Sequence, residues 1–191
     1  MNALLRISRL IDSLNEHIGQ GTYWLVLVAV LVSAGNATSR YALNLSSNAW
    51  LEIQWYLFSA IFLLGAAYTL RHNEHVRIDV ITGRLSPRTR AWIDVFGTLF
   101  FLLPIVLYIF WLSWPMVEDS YLRHEMSTDA GGLVRWPVKI LIPIGFFLLA
   151  LQGFSELIKR IAFLKGLIPD PTEKHEVPAE LELAKEADSR P

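Results

Sequence analysis

Four long apolar segments dominate the pattern of hydrophobic and polar positions along this chain. They extend approximately over Thr22–Leu43, Trp50–Leu70, Ala91–Trp114 and Val138–Ile161. Each is long enough to cross a bilayer as a helix, which takes about 20 residues. Because the hydrocarbon core holds no water to bind free backbone groups, helix is the expected structure of all four. The pattern therefore predicts an all-α membrane protein with four transmembrane helices.

Residues 1–20 follow a different, amphipathic pattern. Apolar residues recur there at steps of three and four, which places them on one face of a helix: Leu4, Ile7, Ile11, Leu14 and Ile18. The pattern predicts a separate N-terminal helix that lies in the inner membrane interface with this face toward lipid. Gly19 and Gly21 interrupt the helical pattern before the first span. The alternative is a cytoplasmic extension of the first span.

Charge divides the chain into a transmembrane body and a tail. Hydrophobic residues make up 53% of the 191 residues and charged residues 18%. Residues 169–191 carry seven acidic and three basic side chains, whereas residues 1–168 have a net charge of +3. An acidic, proline-containing segment without aromatic residues cannot bury enough apolar surface to fold alone. We therefore expect a four-helix transmembrane domain over 21–168 and a disordered cytoplasmic tail over 169–191.

Basic residues near the span ends predict the orientation in the membrane. Ten Lys and Arg residues lie near the span ends on one side, and four lie on the other. The positive-inside rule places the richer side in the cytoplasm. The chain is thus expected to be a multi-pass membrane protein with both termini and the 71–90 loop in the cytoplasm. The 44–49 turn and the 115–137 loop would lie outside.

The side-chain inventory argues against catalysis and cofactor binding in this chain. There is no cysteine, so disulfides, thiolate nucleophiles and cysteine-ligated metals are excluded. All five histidines fall outside the spans, whereas a membrane haem needs axial ligands within packed helices. His72 and His75 are close in sequence, but no acidic cluster completes a metal site. We expect a protein that is not an enzyme and that holds no cofactor or metal.

Polar residues within the spans are the candidate interaction sites, because charge there is costly without a partner. Arg40 and Glu52 lie at similar depth on either side of the 44–49 turn. They either form an ion pair or reach separately to the outer interface. Asn36 suits interhelical hydrogen bonds in the polar outer half of span one. Asp94, near the inner end of span three, is expected to pair with an arginine of the 71–90 loop.

Small residues and prolines indicate where helices approach or bend. Gly65, Ala66 and Ala67 would let another helix come close to span two. Pro104 and Pro143 fall inside spans three and four and are expected to kink them.

A set of residues between positions 50 and 95 resembles a known family. The set comprises Trp50, Glu52, Tyr56, Gly65-Ala66-Ala67, Arg71, the string His75-Val76-Arg77-Ile78-Asp79-Val80, Arg84-Leu85 and Arg90. Together these residues resemble the small membrane subunit, or Q subunit, of tripartite ATP-independent periplasmic (TRAP) transporters. The chain length, the four spans and the cytoplasmic termini agree with that resemblance. Its most specific part is the string that follows a span ending in Arg71.

The resemblance implies a non-catalytic scaffold subunit of a sodium-coupled secondary transporter in the bacterial inner membrane. The partners would be a large membrane (M) subunit, which carries the substrate and sodium sites and moves as an elevator, and a periplasmic binding protein. The imported substrate would be an organic acid such as a dicarboxylate, a sugar acid or a sialic acid. Arg71, His75, Arg77 and Asp79 would contact phospholipid or the large subunit at the inner leaflet. No nucleic acid partner is expected.

The outer 115–137 loop is the expected docking surface for the binding protein. Its charged residues suit a transient, salt-sensitive contact: Glu118, Asp119, Arg123, Glu125 and Asp129. A solvated linker that touches nothing is the alternative interpretation of this loop.

Two other functions remain open at this point. One is a membrane anchor subunit of a redox complex, and the other is a stand-alone four-helix channel or exporter. A Soret band in the purified protein would support the first, and flux in liposomes without a large subunit would support the second.

Overall fold

The computed structural model describes residues 2–44, 47–73 and 85–170. Within these ranges the chain is helical apart from turns and one isolated bridge between Met126 and Val134. The helices are α1 (Asn2–Ala42), α2 (Asn48–Arg71), α3 (Pro87–Gly97), α4 (Leu103–Leu122), α5 (Trp136–Lys139) and α6 (Leu141–Leu164), with a π-helical turn over Thr98–Leu102.

The predicted class is confirmed, since four helices have the length and hydropathy of membrane spans. They cover Ala3–Ala42, Asn48–Arg71, Pro87–Leu122 and Trp136–Leu164. The third is longer than expected, because Pro115 is accommodated inside α4 and the helix continues to Leu122. The expected 115–137 loop is therefore helical in its first part.

Residues 1–20 do not form the separate helix that the sequence predicts. From Asn2 onward they form the first half of α1, which has no break at Gly19 or Gly21. A Cβ added to Gly19 would lie 2.3 Å from the ring of Tyr68. Gly19 thus permits a close crossing of α1 over α2 within a continuous helix. The alternative of an extended first span describes the backbone, and the position of residues 1–20 in the interface stays a prediction.

A π-helical turn lies just before Pro104, and the kinks expected at Pro104 and Pro143 stay predictions. Pro104 lies in the first turn of α4, immediately after Thr98–Leu102. Proline lacks an N–H group and crowds the preceding helical turn. A π-helical turn relieves this crowding by a local change in the backbone hydrogen-bond register.

Helix α6 forms the centre of the bundle. In the apolar 18-residue window of its span, 39% of the residues are buried, against 6% to 17% in the windows of the other three spans. Leu103 and Val106 of α4 pack against Ala150 and Leu157 of α6 in the apolar core.

Glycines of α6 make the close helix contacts. A Cβ on Gly145 would lie 2.7 Å from the carbonyl oxygen of Leu63, and one on Gly153 would lie 2.9 Å from Leu102. In the expected small-residue patch of α2, only Ala67 is fully buried, and Gly65 has open space around it.

Candidate functional site

A cluster of polar side chains attaches the first half of α1 to α6. We call it the inner polar cluster, and it comprises Ser8, Asp12, Asn15, Gln152, Ser155, Glu156 and Lys159. Ser8, Asn15, Gln152 and Ser155 are each no more than 1% exposed. Polar groups buried to this degree must find partners within the protein, so their contacts fix how the two helices meet.

Asp12 is the main acceptor of this cluster. Its carboxylate accepts hydrogen bonds from Ser155 Oγ at 2.7 Å and Gln152 Nε2 at 2.9 Å. Lys159 Nζ lies 3.1 Å from Asp12 and 2.6 Å from Glu156. The ammonium therefore compensates two carboxylates that have little access to solvent.

Gln152 connects the charged and neutral parts of the cluster. Its Nε2 donates to Asp12 at 2.9 Å and to Glu156 at 3.0 Å, while its Oε1 accepts from Asn15 Nδ2 at 2.7 Å. One amide therefore uses both its donors and its acceptor, which fixes its orientation.

Arg71 connects α1 to the inner end of α2. Its Nη1 donates to Glu16 Oε2 at 2.6 Å and to the carbonyl oxygen of Asp12 at 2.5 Å. His72 Nε2 lies 2.9 Å from the same oxygen of Glu16. Arg71, the last residue of α2, thus binds residues of its own chain.

Asp94 pairs with Arg160 of α6, with 3.2 Å between Oδ2 and Nη2. The expected pairing with an arginine of the 71–90 loop stays a prediction, because residues 74–84 lie outside the described part of the chain. Arg160 is 4% exposed and also lies 3.6 Å from Asp170. The contact joins α3 to the central helix.

Glu52 and Arg40 do not form an ion pair within the described part of the chain. Glu52 Oε2 accepts from the backbone N–H of Leu133 at 2.6 Å, and its other oxygen accepts from the hydroxyl of Ser127. Arg40 is exposed. In the structure of the single chain, the two residues therefore do not contact each other.

Residues 123–135 form a compact turn beside the N-terminal end of α2 and the C-terminal end of α4. We call it the outer turn, after the side on which the sequence predicts it to lie. Its two arms are joined by the bond from Ser127 N to Leu133 O at 2.9 Å and by that from Arg135 N to Glu125 O at 2.9 Å. Tyr56 donates to the carbonyl oxygen of Val134 at 3.0 Å. The turn is therefore an ordered element attached to the helices.

The expected docking residues have unequal exposure. Glu118, Asp119, Arg123 and Asp129 are exposed. Arg123 lies 2.6 Å from Asp119, one helical turn away. Glu125 is half-buried and binds Lys139 at the start of the fourth span. This contact with the ammonium group lowers the pKa of Glu125 below its ordinary value.

Comparison with known proteins supplies the family. A sequence model for the DctQ component of tripartite ATP-independent periplasmic transporters matches residues 23–163, which is most of the chain. The chain belongs to the DctQ family. This membership confirms the resemblance drawn from the motif residues.

The chain is also similar to a curated protein. A Haemophilus influenzae protein, provisionally named a TRAP transporter small permease protein, is 26% identical to this DctQ chain over 105 residues. The aligned part covers 55% of the chain and 60% of the relative, which is less than two thirds of that protein. No solved structure matches the chain.

Four candidate residues of this DctQ chain, Asn36, His75, Arg77 and Asp79, stay predictions. Asn36 is half-buried on α1. His75, Arg77 and Asp79 lie outside the described residues. Within the described ranges, no group of His, Asp and Glu side chains is arranged to hold a metal ion.

Sequence reasoning missed most of the inner polar cluster. A signal was present, because Gln152, Ser155, Glu156 and Lys159 recur at steps of one to four within the fourth span. Polar residues at such spacing share a helix face, and in a membrane span that face requires a partner. The polar residues of α1 are also three or four positions apart, at Ser8, Asp12 and Asn15.

Proposed function

We propose that this chain is the scaffold subunit of a sodium-coupled TRAP transporter in the bacterial inner membrane. It would brace a large membrane subunit that carries the substrate and sodium sites and moves as an elevator. The imported solute would be an organic acid such as a dicarboxylate, a sugar acid or a sialic acid. The single observation that carries the proposal is the inner polar cluster, in which buried charged groups of α1 and α6 bind one another.

Internally compensated charge suits a part that stays fixed. Lys159 faces Asp12 and Glu156, and Arg71 faces Glu16. Breaking such mostly buried pairs leaves an uncompensated charge. Relative movement of α1, α2 and α6 is therefore costly, as a brace requires.

The four spans also lack the helix architecture of a self-sufficient transporter. Many transporters bind substrate and ions at discontinuous helices near the middle of the bilayer. Each span in the described part of this chain is helical along most of its length, with the π-helical turn in the third span and one turn residue, Ile140, between α5 and α6 in the fourth. Membership of the DctQ family supports the transporter-subunit function over a redox anchor or a stand-alone channel.

The first half of α1 is proposed to rest in the inner membrane interface. Its polar face is used against α6, while Leu4, Ile7 and Leu14 are each about half exposed, at 47%, 49% and 46%. Exposed leucine and isoleucine are favourable there because the acyl-chain boundary covers them. Arg6 and Arg9 are also exposed and would face anionic phospholipid.

The outer turn and the adjoining end of α4 are proposed to dock the soluble binding protein. Glu118, Asp119 and Asp129 outnumber Arg123 among the exposed charges of this surface. A binding protein with a basic contact surface would match it, and the association would weaken with salt.

Reconstitution tests the scaffold function directly. Liposomes receive this chain alone, the large subunit alone, or both, together with the binding protein and a sodium gradient. Uptake of candidate organic acids is expected only with both membrane subunits present. Robust sodium-driven uptake by this chain alone would refute the scaffold function.

A further inference from the structure

Glu52 is the acidic residue of α2, and it lies at the outer end of that helix. Both oxygens of its carboxylate are used on the outer turn. One accepts from the hydroxyl of Ser127, and the other accepts from the N–H of Leu133 at 2.6 Å. Ser127 and Leu133 lie on opposite arms of the turn, so one side chain holds both arms.

The turn is shaped around this carboxylate. A Cβ added to Gly132 would lie 2.7 Å from Glu52 Oε1 and 2.4 Å from Cβ of Ser127. Only glycine lets the backbone pass so close to the carboxylate. Charge-assisted hydrogen bonds to an ionised acceptor are about twice as strong as neutral ones. The bonds to Glu52 are therefore the strongest connection between the turn and α2.

Two further hydrogen bonds between the turn and α2 join neutral groups. Tyr56 donates to Val134 O and Asn48 donates to Ala130 O, each at 3.0 Å. Residues 128–131 of the turn are exposed. Glu52 is itself half-buried and binds the two arms of the turn through Ser127 and Leu133.

We propose that Glu52 is a positioning residue that sets the orientation of the outer turn for docking of the soluble binding protein. The proposal rests on the docking function proposed above. Glu52 would act through Ser127 and Leu133 without touching the binding protein. If its loss leaves the turn correctly placed for only about a tenth of the time, the apparent Kd rises about tenfold.

The first measurement follows the turn itself. The complex of this chain with the large subunit is placed in nanodiscs, and a nitroxide is attached through Thr128→Cys. The chain has no cysteine of its own, so the label is unique on this subunit. Glu52→Gln is expected to make the label more mobile, and Ser127→Ala, which leaves the bond to Leu133, is expected to have a smaller effect. Arg40→Gln removes an outer charge of the same chain and serves as the matched control.

The second measurement is the Kd of the transporter's own soluble binding protein for the same complex. Glu52→Gln is expected to raise it about tenfold, while the yield of the two-subunit complex stays unchanged. Cross-linking Asn48→Cys to Ala130→Cys with a short bifunctional thiol reagent should restore the Kd in the Glu52→Gln background. Such a rescue requires that the carboxylate acts by holding the turn.

The outcomes separate this inference from the docking function. If Asp129→Lys weakens binding but Glu52→Gln changes neither label mobility nor Kd, the docking function stands and the role of Glu52 is wrong. If label mobility rises in Glu52→Gln but Kd is insensitive to both Glu52→Gln and Asp129→Lys, the turn is not a docking surface. The inference then falls with the docking function.

Discussion

At the residue scale, polar side chains decide how α1 attaches to the bundle. Apolar contact between helices gives little net gain in a membrane, because lipid chains are as apolar as leucine. A hydrogen bond such as Asn15 to Gln152, at 2.7 Å, has no equally good alternative in hydrocarbon. The contact between α1 and α6 is therefore specified by matched polar groups.

Replacing Asp12 by asparagine tests this attachment. Asparagine has nearly the same shape as aspartate but lacks the negative charge that faces Lys159. We expect it to lower the free energy of unfolding by about 3 kcal/mol, the lower end for a broken buried pair, because Lys159 keeps Glu156. Thermal unfolding in detergent measures the change. Asp119→Asn, in an exposed pair with Arg123, should cost less than about 1 kcal/mol. Equal effects would contradict the assignment.

Glycine substitutions test the close helix contacts. Gly145→Ala places a methyl group 2.7 Å from a backbone oxygen of Leu63, which cannot move without shifting α2. We expect a loss of about 1–3 kcal/mol of stability. Gly65→Ala meets open space and should be neutral or stabilising. Melting temperatures of the two variants decide this, and a stable Gly145→Ala variant would show that the contact is looser than described.

The helix end at which a candidate residue lies could be predicted from the sequence, but its contact partners could not. Arg40 lies in the last turn of α1 and Glu52 lies near the start of α2, as their spacing about the 44–49 turn implies. Whether two side chains meet depends also on the rotation of each helix about its axis. Glu52 faces the outer turn, whose order comes from contacts about 75 to 81 residues away in sequence. No local pattern encodes that pairing.

At the element scale, α1 is a continuous helix with two kinds of surface along its first half. It spans 41 residues, or about 60 Å, roughly twice the thickness of the hydrocarbon core. The apolar periodicity of residues 1–20 correctly indicated a helix, but Gly19 was interpreted as a break. Glycine in a membrane helix serves close packing as often as interruption, and only the partner Tyr68 distinguishes the two.

Paired alanine substitutions distinguish packing from a hinge in α1. Gly19→Ala is expected to destabilise the chain by about 1–3 kcal/mol, because the new methyl group collides with Tyr68. Gly21→Ala has open space and should stabilise the helix by up to about 1 kcal/mol. Unfolding in detergent is the measurement. If the segment were a hinge, both substitutions would change stability in the same direction.

The outer turn should respond to acid through Glu125. Because Lys139 holds its pKa below the ordinary value, the ion pair stabilises the folded turn above about pH 4.3, where the unfolded carboxyl is charged. The contribution is lost as pH falls through the lower pKa of the folded state. A nitroxide at Thr128→Cys should therefore become more mobile only below about pH 4. Glu125→Gln should be more mobile at neutral pH and should keep only the part of the acid response that depends on the Glu52 carboxylate. An unchanged acid response in that variant would exclude Glu125 as a source.

At the scale of the whole molecule, the central helix is α6, and the other spans keep most of their surface outside the bundle. In the apolar 18-residue windows of the other three spans, at most 17% of the residues are buried. Exposed aromatic side chains run along the third span, including Phe100 and Trp111 at 59% and 74%. The proposed scaffold role requires such outer surfaces for contact with lipid and with a larger partner.

Orientation is the property on which the docking and lipid proposals both depend, and two single cysteines test it. The positive-inside count places the outer turn in the periplasm and the first half of α1 in the cytoplasm. Thr128 and Ser13 are both exposed, and the chain has no other cysteine. A membrane-impermeant thiol reagent should label Thr128→Cys once the outer membrane is opened, and Ser13→Cys only after the inner membrane is opened as well. The reverse pattern would place the outer turn in the cytoplasm, where it could not meet a periplasmic protein.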